Sequence, residues 1–268
     1  EVTELAPRAD GVVHPEDLAA VLREDTVLVS IMHGNNEIGT LQPLAELSAV
    51  THAHGALLHT DAAQTVGKVP FDVRELGVDA ASFTGHKIYA PKGAGVLYVR
   101  DGVPLAPYLM GGGQESRRRS GTQKVAGSVA LATALELMDA ERDEEAPRLA
   151  ALRDRIIAGV TSTVGNVRVN GADAAERLPH IASFGIAGVT GEDLLLHLDQ
   201  AGFAVATGSA CQSGSPEPSY VLVAIGCPLE FAIGTLRVSL GRYTTEDDVD
   251  RFLEALTGIV ERLRRWNA

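Results

Sequence analysis

Between Val27 and Val99 short apolar runs alternate with stretches whose apolar residues recur at helical spacing. Strands are expected at Val27 to Met32, Leu57 to Thr60, Ala80 to Phe83 and Val96 to Val99, with a helix over Leu44 to His52. Upstream, Val2 to Leu5 is strand-like and Pro15-Glu16-Asp17-Leu18 opens an amphipathic helix. Downstream, Val125 to Ala140 reads as an Ala/Leu helix that ends in acids, and Pro147 to Val160 as a second helix. Candidate strands then follow at Val167 to Val169, Ile181 to Ile186, Phe203 to Ala206 and Leu236 to Leu240, with helices over Gly191 to Gln200 and Asp247 to Arg264. The pattern predicts an α/β fold. A large, mostly parallel sheet domain occupies residues 1–140, and a smaller α/β domain residues 141–268. Sheets of the first kind bind ligands beyond the carboxyl ends of their strands, where Asn36, Asp61 and Lys87 fall.

Composition narrows the class without changing that architecture. The 268 residues are 45% apolar and only 4% aromatic, which suits a core of Val, Ile, Leu and Ala. A net charge of −12, with acids gathered at Glu136 to Glu145 and Glu246 to Asp250, argues against direct nucleic-acid binding. The local run Arg117-Arg118-Arg119 does not reverse that balance. Two cysteines make no disulfide framework, and neither a membrane-length apolar stretch nor a secretory leader is evident. The expected setting is a reducing cytoplasm, away from membranes. The chain opens on Glu1, and Glu1 to Asp25 reads as the middle of a larger domain.

The chemistry is concentrated in Ser82-Phe83-Thr84-Gly85-His86-Lys87, just ahead of Ala90-Pro91-Lys92-Gly93-Ala94-Gly95. A lysine held at a strand end among small residues is placed to form an imine with an aldehyde cofactor. In Leu57-Leu58-His59-Thr60-Asp61-Ala62-Ala63-Gln64 an acid ends another apolar strand, and the stretch between Asp61 and Lys87 leaves room for a crossover between parallel neighbours. Pyridoxal phosphate needs both partners, an amine for its aldehyde and a carboxylate for its ring nitrogen. Singly, such a lysine is more often a solvated surface residue, and such an aspartate a turn or helix cap.

Together with their surroundings they resemble the cysteine desulfurases of the class-V aminotransferase group. The resemblance is carried by Met32-His33-Gly34-Asn35-Asn36-Glu37-Ile38-Gly39, His59 to Gln64, Ser82 to Lys87, Arg119-Ser120-Gly121-Thr122, Thr207 to Val221 and Leu236-Arg237-Val238-Ser239-Leu240-Gly241-Arg242. It implies the fold type I of pyridoxal-phosphate transferases and, as cofactor, pyridoxal 5′-phosphate. Lys87 would carry the cofactor and shuttle a proton; Asp61 would face the ring nitrogen and Gln64 the phenolic oxygen. Thr84, where the family more often has serine, and His86 would donate to the phosphate from a turn that Gly85 permits. Thr122 matches a residue that reaches the phosphate of the other subunit, which implies a homodimer. Asn36 and Arg237 match positions that hold the substrate, Asn36 near the cofactor as well, and a guanidinium grips a carboxylate in bidentate fashion. The resemblance also places a phosphate-binding loop and a ring-stacking histidine upstream of Glu1.

Cys211 lies in Gly208-Ser209-Ala210-Cys211-Gln212-Ser213-Gly214-Ser215-Pro216-Glu217-Pro218-Ser219-Tyr220, which is similar to the long-loop, group I type of the family. Small residues on both sides suggest an exposed, mobile segment, suited to a thiolate that takes sulfur at one place and hands it on at another. Cys227 reads as a packed thiol, and the spacing of His52, His54 and the remaining histidines offers no zinc site. Gly111-Gly112-Gly113 lacks the strand and helix that a nucleotide-binding turn requires. The expected activity converts L-cysteine to L-alanine, with the sulfur held as a persulfide on Cys211 and passed to an acceptor such as an iron–sulfur scaffold protein. Alternatives are a selenocysteine lyase, a related aminotransferase, or a non-catalytic truncated subunit; a nucleophile at Cys211 distinguishes sulfur transfer from transamination.

Overall fold

Short strands rich in Leu, Val and Ala pair side by side to build the first sheet. In the computed structural model, which describes residues 1–208 and 218–267, β1 (Leu28–Ser30), β2 (Leu57–Asp61), β3 (Ala80–Thr84) and β4 (Gly95–Val99) lie in that order. The first three are parallel, and β4 returns antiparallel along β3. Two helices precede β2, α1 (Pro15–Val21) and α2 (Leu44–Ala53). The latter turns Leu44, Leu47, Ser48 and Thr51 inward at the spacing of one helical face. The strand expected over Val27 to Met32 shrinks to three residues, and the strand-like Val2 to Leu5 forms none.

A buried carboxylate ties this sheet together. Asp79, 1% exposed, accepts hydrogen bonds from the Leu58 N–H at 2.7 Å, from His52 Nε2 at 2.8 Å and from Arg100 Nε at 2.8 Å. It therefore joins α2, β2 and the residue following β4. Burial pushes its pKa up, but the His52, Leu58 and Arg100 hydrogen bonds outweigh burial and leave it below the usual value.

The second sheet is antiparallel in the order β5 (Val167–Val169), β6 (Ile181–Ile186), β7 (Thr235–Ser239). All six residues of β6 are buried, as befits a central strand covered on both faces. Its core includes Phe184 and Ile186 with Ile156 and Val160 of α3 (Val125–Thr163), Leu194 and Leu198 of α4 (Gly191–Gln200), and Phe252 and Leu256 of α7 (Glu246–Asn267). Thr190 caps α4 by accepting from the Asp193 N–H at 3.1 Å. Two short helices, α5 (Tyr220–Ala224) and α6 (Leu229–Ile233), complete the set, and Ile38 packs with Val221, Leu222 and Ile225.

Two expectations are corrected. The helices expected at Val125 to Ala140 and Pro147 to Val160 are one continuous helix, α3, with Pro147 inside it. Proline deletes one backbone bond there, but both flanks are anchored, with Leu131, Ala134 and Met138 in one cluster and Leu149, Leu152, Ile156 and Val160 in another. Phe203 to Ala206 forms no strand beyond an isolated bridge from Ala206 to Arg237, and Phe203 instead packs edge-on against Phe252 at 5.7 Å.

By compactness the chain forms two units. One comprises Leu22–His33 and Leu44–Arg142; the other comprises Glu1–Val21, Gly34–Pro43 and Asp143–Ala268. Among the described residues no helix is long and apolar enough to cross a membrane.

Replacing Asp79 by Asn should lower unfolding stability by about 3 kcal/mol, because an amide cannot balance three donors at a buried point. Urea denaturation followed by circular dichroism measures this, and a midpoint equal to that of the parent excludes the anchoring role.

Candidate active site

Parallel register decides what stands beside what. Asp61, the last residue of β2, pairs with Ser82 of β3, and the Ala62 N–H donates to the Ser82 carbonyl at 2.8 Å. From Ser82 the chain needs only Phe83 and Thr84 to reach the 3₁₀ turn Gly85–Lys87. The acid and the amine singled out from sequence thus arise at the carboxyl ends of neighbouring parallel strands. Asp61 Oδ1 accepts from the Ala63 N–H at 2.8 Å, opening the turn that carries Gln64. Thr84 Oγ1 and His86 Nδ1 lie 2.8 Å apart. Gly85 keeps an ordinary φ; what its position demands is the missing side chain, since a Cβ there would lie 3.0 Å from Ala90 Cβ and 3.1 Å from Leu131 Cδ1.

Three further residues shape this face: His59 and Lys68, to which sequence reasoning gave no role, and His33, which it read as lining the pocket or as packed. His59, two residues before Asp61 and so on the same side of β2, is held between Ser30 Oγ at 2.9 Å and Ser82 Oγ at 3.2 Å, and fastens β1, β2 and β3 beneath the acid. Lys68, in the turn after Asp61, titrates at about 8, lowered first by burial and then by the nearby charge of Lys87. Its position after Thr65-Val66-Gly67 in the segment that follows the acid was the available signal. His33 is 6% exposed, gives its N–H to the Asp61 carbonyl at 2.9 Å and tilts against Phe71 at 5.6 Å.

Asn36 and Arg237 belong to the other unit, together with Glu37. Arg237, on β7, donates from Nη1 to the Asn36 carbonyl at 2.9 Å, so the two substrate candidates are joined directly. Burial lowers the Arg237 pKa, and the Glu37 carboxylate partly offsets it. Thr122 is exposed in the chain ahead of α3. Cys211 lies outside the described residues, whereas Cys227 is buried and its thiol is pushed up by desolvation. Among the described residues no three His, Cys, Asp or Glu side chains gather as metal ligands.

The family profile described as Aminotransferase class-V matches residues 1–252. The chain belongs to the class-V aminotransferase family. Within that family it is similar to the cysteine desulfurase IscS of Dictyoglomus turgidum, at 48% identity over 264 residues covering 98% of this chain and 67% of the relative. Among solved structures it is similar to a NifS-like protein (36% identity, TM-score 0.89, 98% of this chain and 68% of that one). It is also similar to SspA in complex with cysteine (33% identity, TM-score 0.74, 91% of this chain and 67% of that one). The chain spans about two thirds of the length of the curated relatives it matches.

Cysteine desulfurases of this class-V family use pyridoxal 5′-phosphate. The residues present in this class-V chain fit that group. A hydroxyl and an imidazole flank the lysine in one short turn, and the charges of Lys68 and Lys87 repel each other until an anion such as a phosphate offsets them.

Burial lowers the His33 pKa from 6.5 to about 4, so the fold holds a neutral ring while the unfolded chain takes up a proton. Stability is fully present above 6.5 and falls by about 3 kcal/mol as pH drops to about 4. His33→Phe should remove that slope in urea midpoints recorded between those values, and a parent curve that is flat across the window would contradict a buried neutral ring.

Proposed function

We propose that the protein is a pyridoxal-phosphate-dependent cysteine desulfurase. It takes the sulfur of L-cysteine as a persulfide on Cys211, releases L-alanine and passes the sulfur to an acceptor protein, such as a scaffold for iron–sulfur clusters. The observation that carries this reading is the pairing of β2 with β3, which delivers Asp61 and the turn bearing Lys87 to one edge of a sheet. The relatives named cysteine desulfurase support it, and the cysteine bound to SspA supports the choice of substrate.

When bound, the cofactor supplies an aldehyde for amines and a ring that draws electrons from the carbon bearing the substrate amine. Lys87 Nζ is the amine that holds it and later moves a proton at the substrate carbon. Asp61 offers a carboxylate to the ring nitrogen, and Gln64 an amide to the phenolic oxygen. Thr84 and His86 hold the phosphate, with Thr122 reaching the phosphate of a second copy in a homodimer. Arg237, steadied by its bond to the Asn36 carbonyl, grips the substrate carboxylate. The Cys211 thiolate attacks the substrate sulfur, the carbon–sulfur bond breaks, and the electron pair left on carbon is protonated to give alanine. The reaction belongs to a reducing cytoplasm, where a free thiolate persists.

Borohydride reduction of the cofactor-loaded protein, followed by peptide mass spectrometry, should place the phosphopyridoxyl group on Lys87. Lys87→Ala should lose both that adduct and all turnover, and an adduct surviving in the variant would remove Lys87 from the role. After a pulse of L-cysteine the parent should carry an added sulfur on Cys211, and Cys211→Ser should lack it and release alanine at least about a hundredfold more slowly. Alanine release at the parental rate from Cys211→Ser would overturn the sulfur-transfer mechanism.

A further inference from the structure

An acid and an arginine lie close together in one unit, and neither is fully satisfied. Glu37 follows Asn36 in the chain, and the Asn36 carbonyl accepts from Arg237 Nη1 at 2.9 Å, so a single peptide brings carboxylate and guanidinium to one place. Glu37 is 2% exposed, and its Oε2 accepts from Ser219 Oγ at 2.5 Å. Its Oε1 has no hydrogen-bond partner among the described residues, nor has the buried Nε of Arg237. Burial raises the Glu37 pKa, opposed by the Ser219 hydrogen bond and the Arg237 charge, and Glu37 in turn offsets the lowering that burial imposes on Arg237. Asn36, Glu37, Ser219 and Arg237 all belong to the same unit.

The carboxylate cannot escape to water. Asn35 Oδ1 accepts from the Glu37 and Ile38 N–H groups at 2.9 and 3.0 Å, and Ile38 is locked in the cluster with Val221, Leu222 and Ile225. Ser219 is held as well, because it caps α5 by accepting from the Val221 N–H at 3.2 Å. Charge around Glu37 must therefore balance where it stands. Among the described residues the groups that bear on it are the neutral Asn35 and Ser219, the Arg237 cation on β7, and Cys227 in the cluster that holds Ile38, whose thiol burial pushes up and so keeps protonated. That is one anion for one cation. A ligand carboxylate on Arg237 brings a second anion, and one guanidinium cannot offset two in an interior. Glu37 is the group able to yield: once protonated it can donate from Oε2 to Ser219 Oγ, so the same contact survives with its direction reversed.

We propose that Glu37 is a positioning residue for carboxylate recognition: it is the internal counter-ion of Arg237 in the free protein, and it gives up its charge by taking a proton from water when a ligand carboxylate occupies the guanidinium. The step is acid–base only, with one O–H bond formed on Glu37 and nothing oxidised or reduced. The inference rests on the reading of Arg237 as the group that grips the substrate carboxylate, and it adds that binding there takes up a proton. The bound carboxylate raises the pKa of Glu37, so affinity is fully present below the value that Glu37 has in the free protein. It falls as pH rises toward the value in the complex and is level above that.

Propionate is the probe, a carboxylate with neither amine nor thiol, so that its binding involves no chemistry at Lys87 or at a cysteine. Calorimetric titration of the cofactor-loaded protein, in two buffers of different ionisation enthalpy, counts the protons taken up on binding. The parent should take up a clear fraction of one proton, and its affinity should fall by about tenfold between pH ~6 and ~8. Arg237→Gln should weaken binding by at least about tenfold, which ties the probe to this arginine. Glu37→Gln, neutral throughout and of the same shape, should bind without proton uptake, with an affinity that is flat in pH and about tenfold tighter than the parent's at pH ~8. A residue that merely shaped the loop would weaken binding at every pH when replaced. Arg237-dependent binding without proton uptake in the parent would overturn the coupling, whether or not Glu37→Gln folds. A parental pH slope retained in Glu37→Gln would place the proton elsewhere and overturn it too. Absence of Arg237-dependent binding would remove the carboxylate from this arginine and sink the inference, whereas a parent that binds propionate as expected but forms no persulfide from L-cysteine would fail the desulfurase reading and leave the coupling standing.

Discussion

The parallel pairing of β2 with β3 is the constraint on which the cofactor half of the proposed site depends. Parallel strands end on the same side, so the residues that close them, Asp61 and the turn after Thr84, are delivered to one edge without a long excursion. Three polar contacts hold that edge. Asp79 binds β2 to α2 and to the end of β4, His59 bridges the serines of β1 and β3, and His33 hangs by its N–H from the Asp61 carbonyl. Because those ties join β2 to its neighbours on both sides, the acid inherits the rigidity of the sheet, as the proposed cofactor role requires.

The two units treat a buried acid differently. Around Asp79 every oxygen is matched by donors, and hydrogen bonding overcomes desolvation, so the carboxylate is favoured. Around Glu37 one oxygen has a single short bond and the other has none among the described residues, and desolvation prevails. A fully satisfied buried charge rigidifies its surroundings, whereas a partly satisfied one is costly to keep in the interior.

Much of this was visible in the residue order. The alternation of apolar runs located β2, β3, β4, β5 and β6, because a strand buried on one or both faces must repeat or sustain apolar character over its few residues. The placement of Asp61, Thr84 and Lys87 at the ends of β2 and β3 was legible for a different reason: small and polar residues follow the apolar runs there and close the strands. The failures are equally physical. Pro147 suggested a helix break, but apolar anchors on either side of it keep α3 continuous. Phe203 to Ala206 had strand composition, yet the Phe203 N–H closes α4 on the Leu198 carbonyl, its ring packs on Phe252, and Ala206 makes an isolated bridge to Arg237. The contacts of Glu37, His59 and Lys68 were invisible because each depends on a residue remote in sequence or on a charge that only the fold brings near.

The division of the chain into interleaved units sets a schedule for synthesis. Leu22–His33 and Leu44–Arg142 form a unit whose members are emitted close together, so its sheet can assemble as it emerges. The second unit includes Glu1–Val21 and Gly34–Pro43 but is completed only by residues beyond Asp143. Glu37 must wait for Ser219, 182 positions later, which at ribosomal speed is on the order of ten seconds or more. Through that interval the apolar Ile38 lacks Val221, Leu222 and Ile225, and the carboxylate beside it lacks Ser219. The early segment thus passes through a period of exposure to chaperones and proteases that the finished protein never shows.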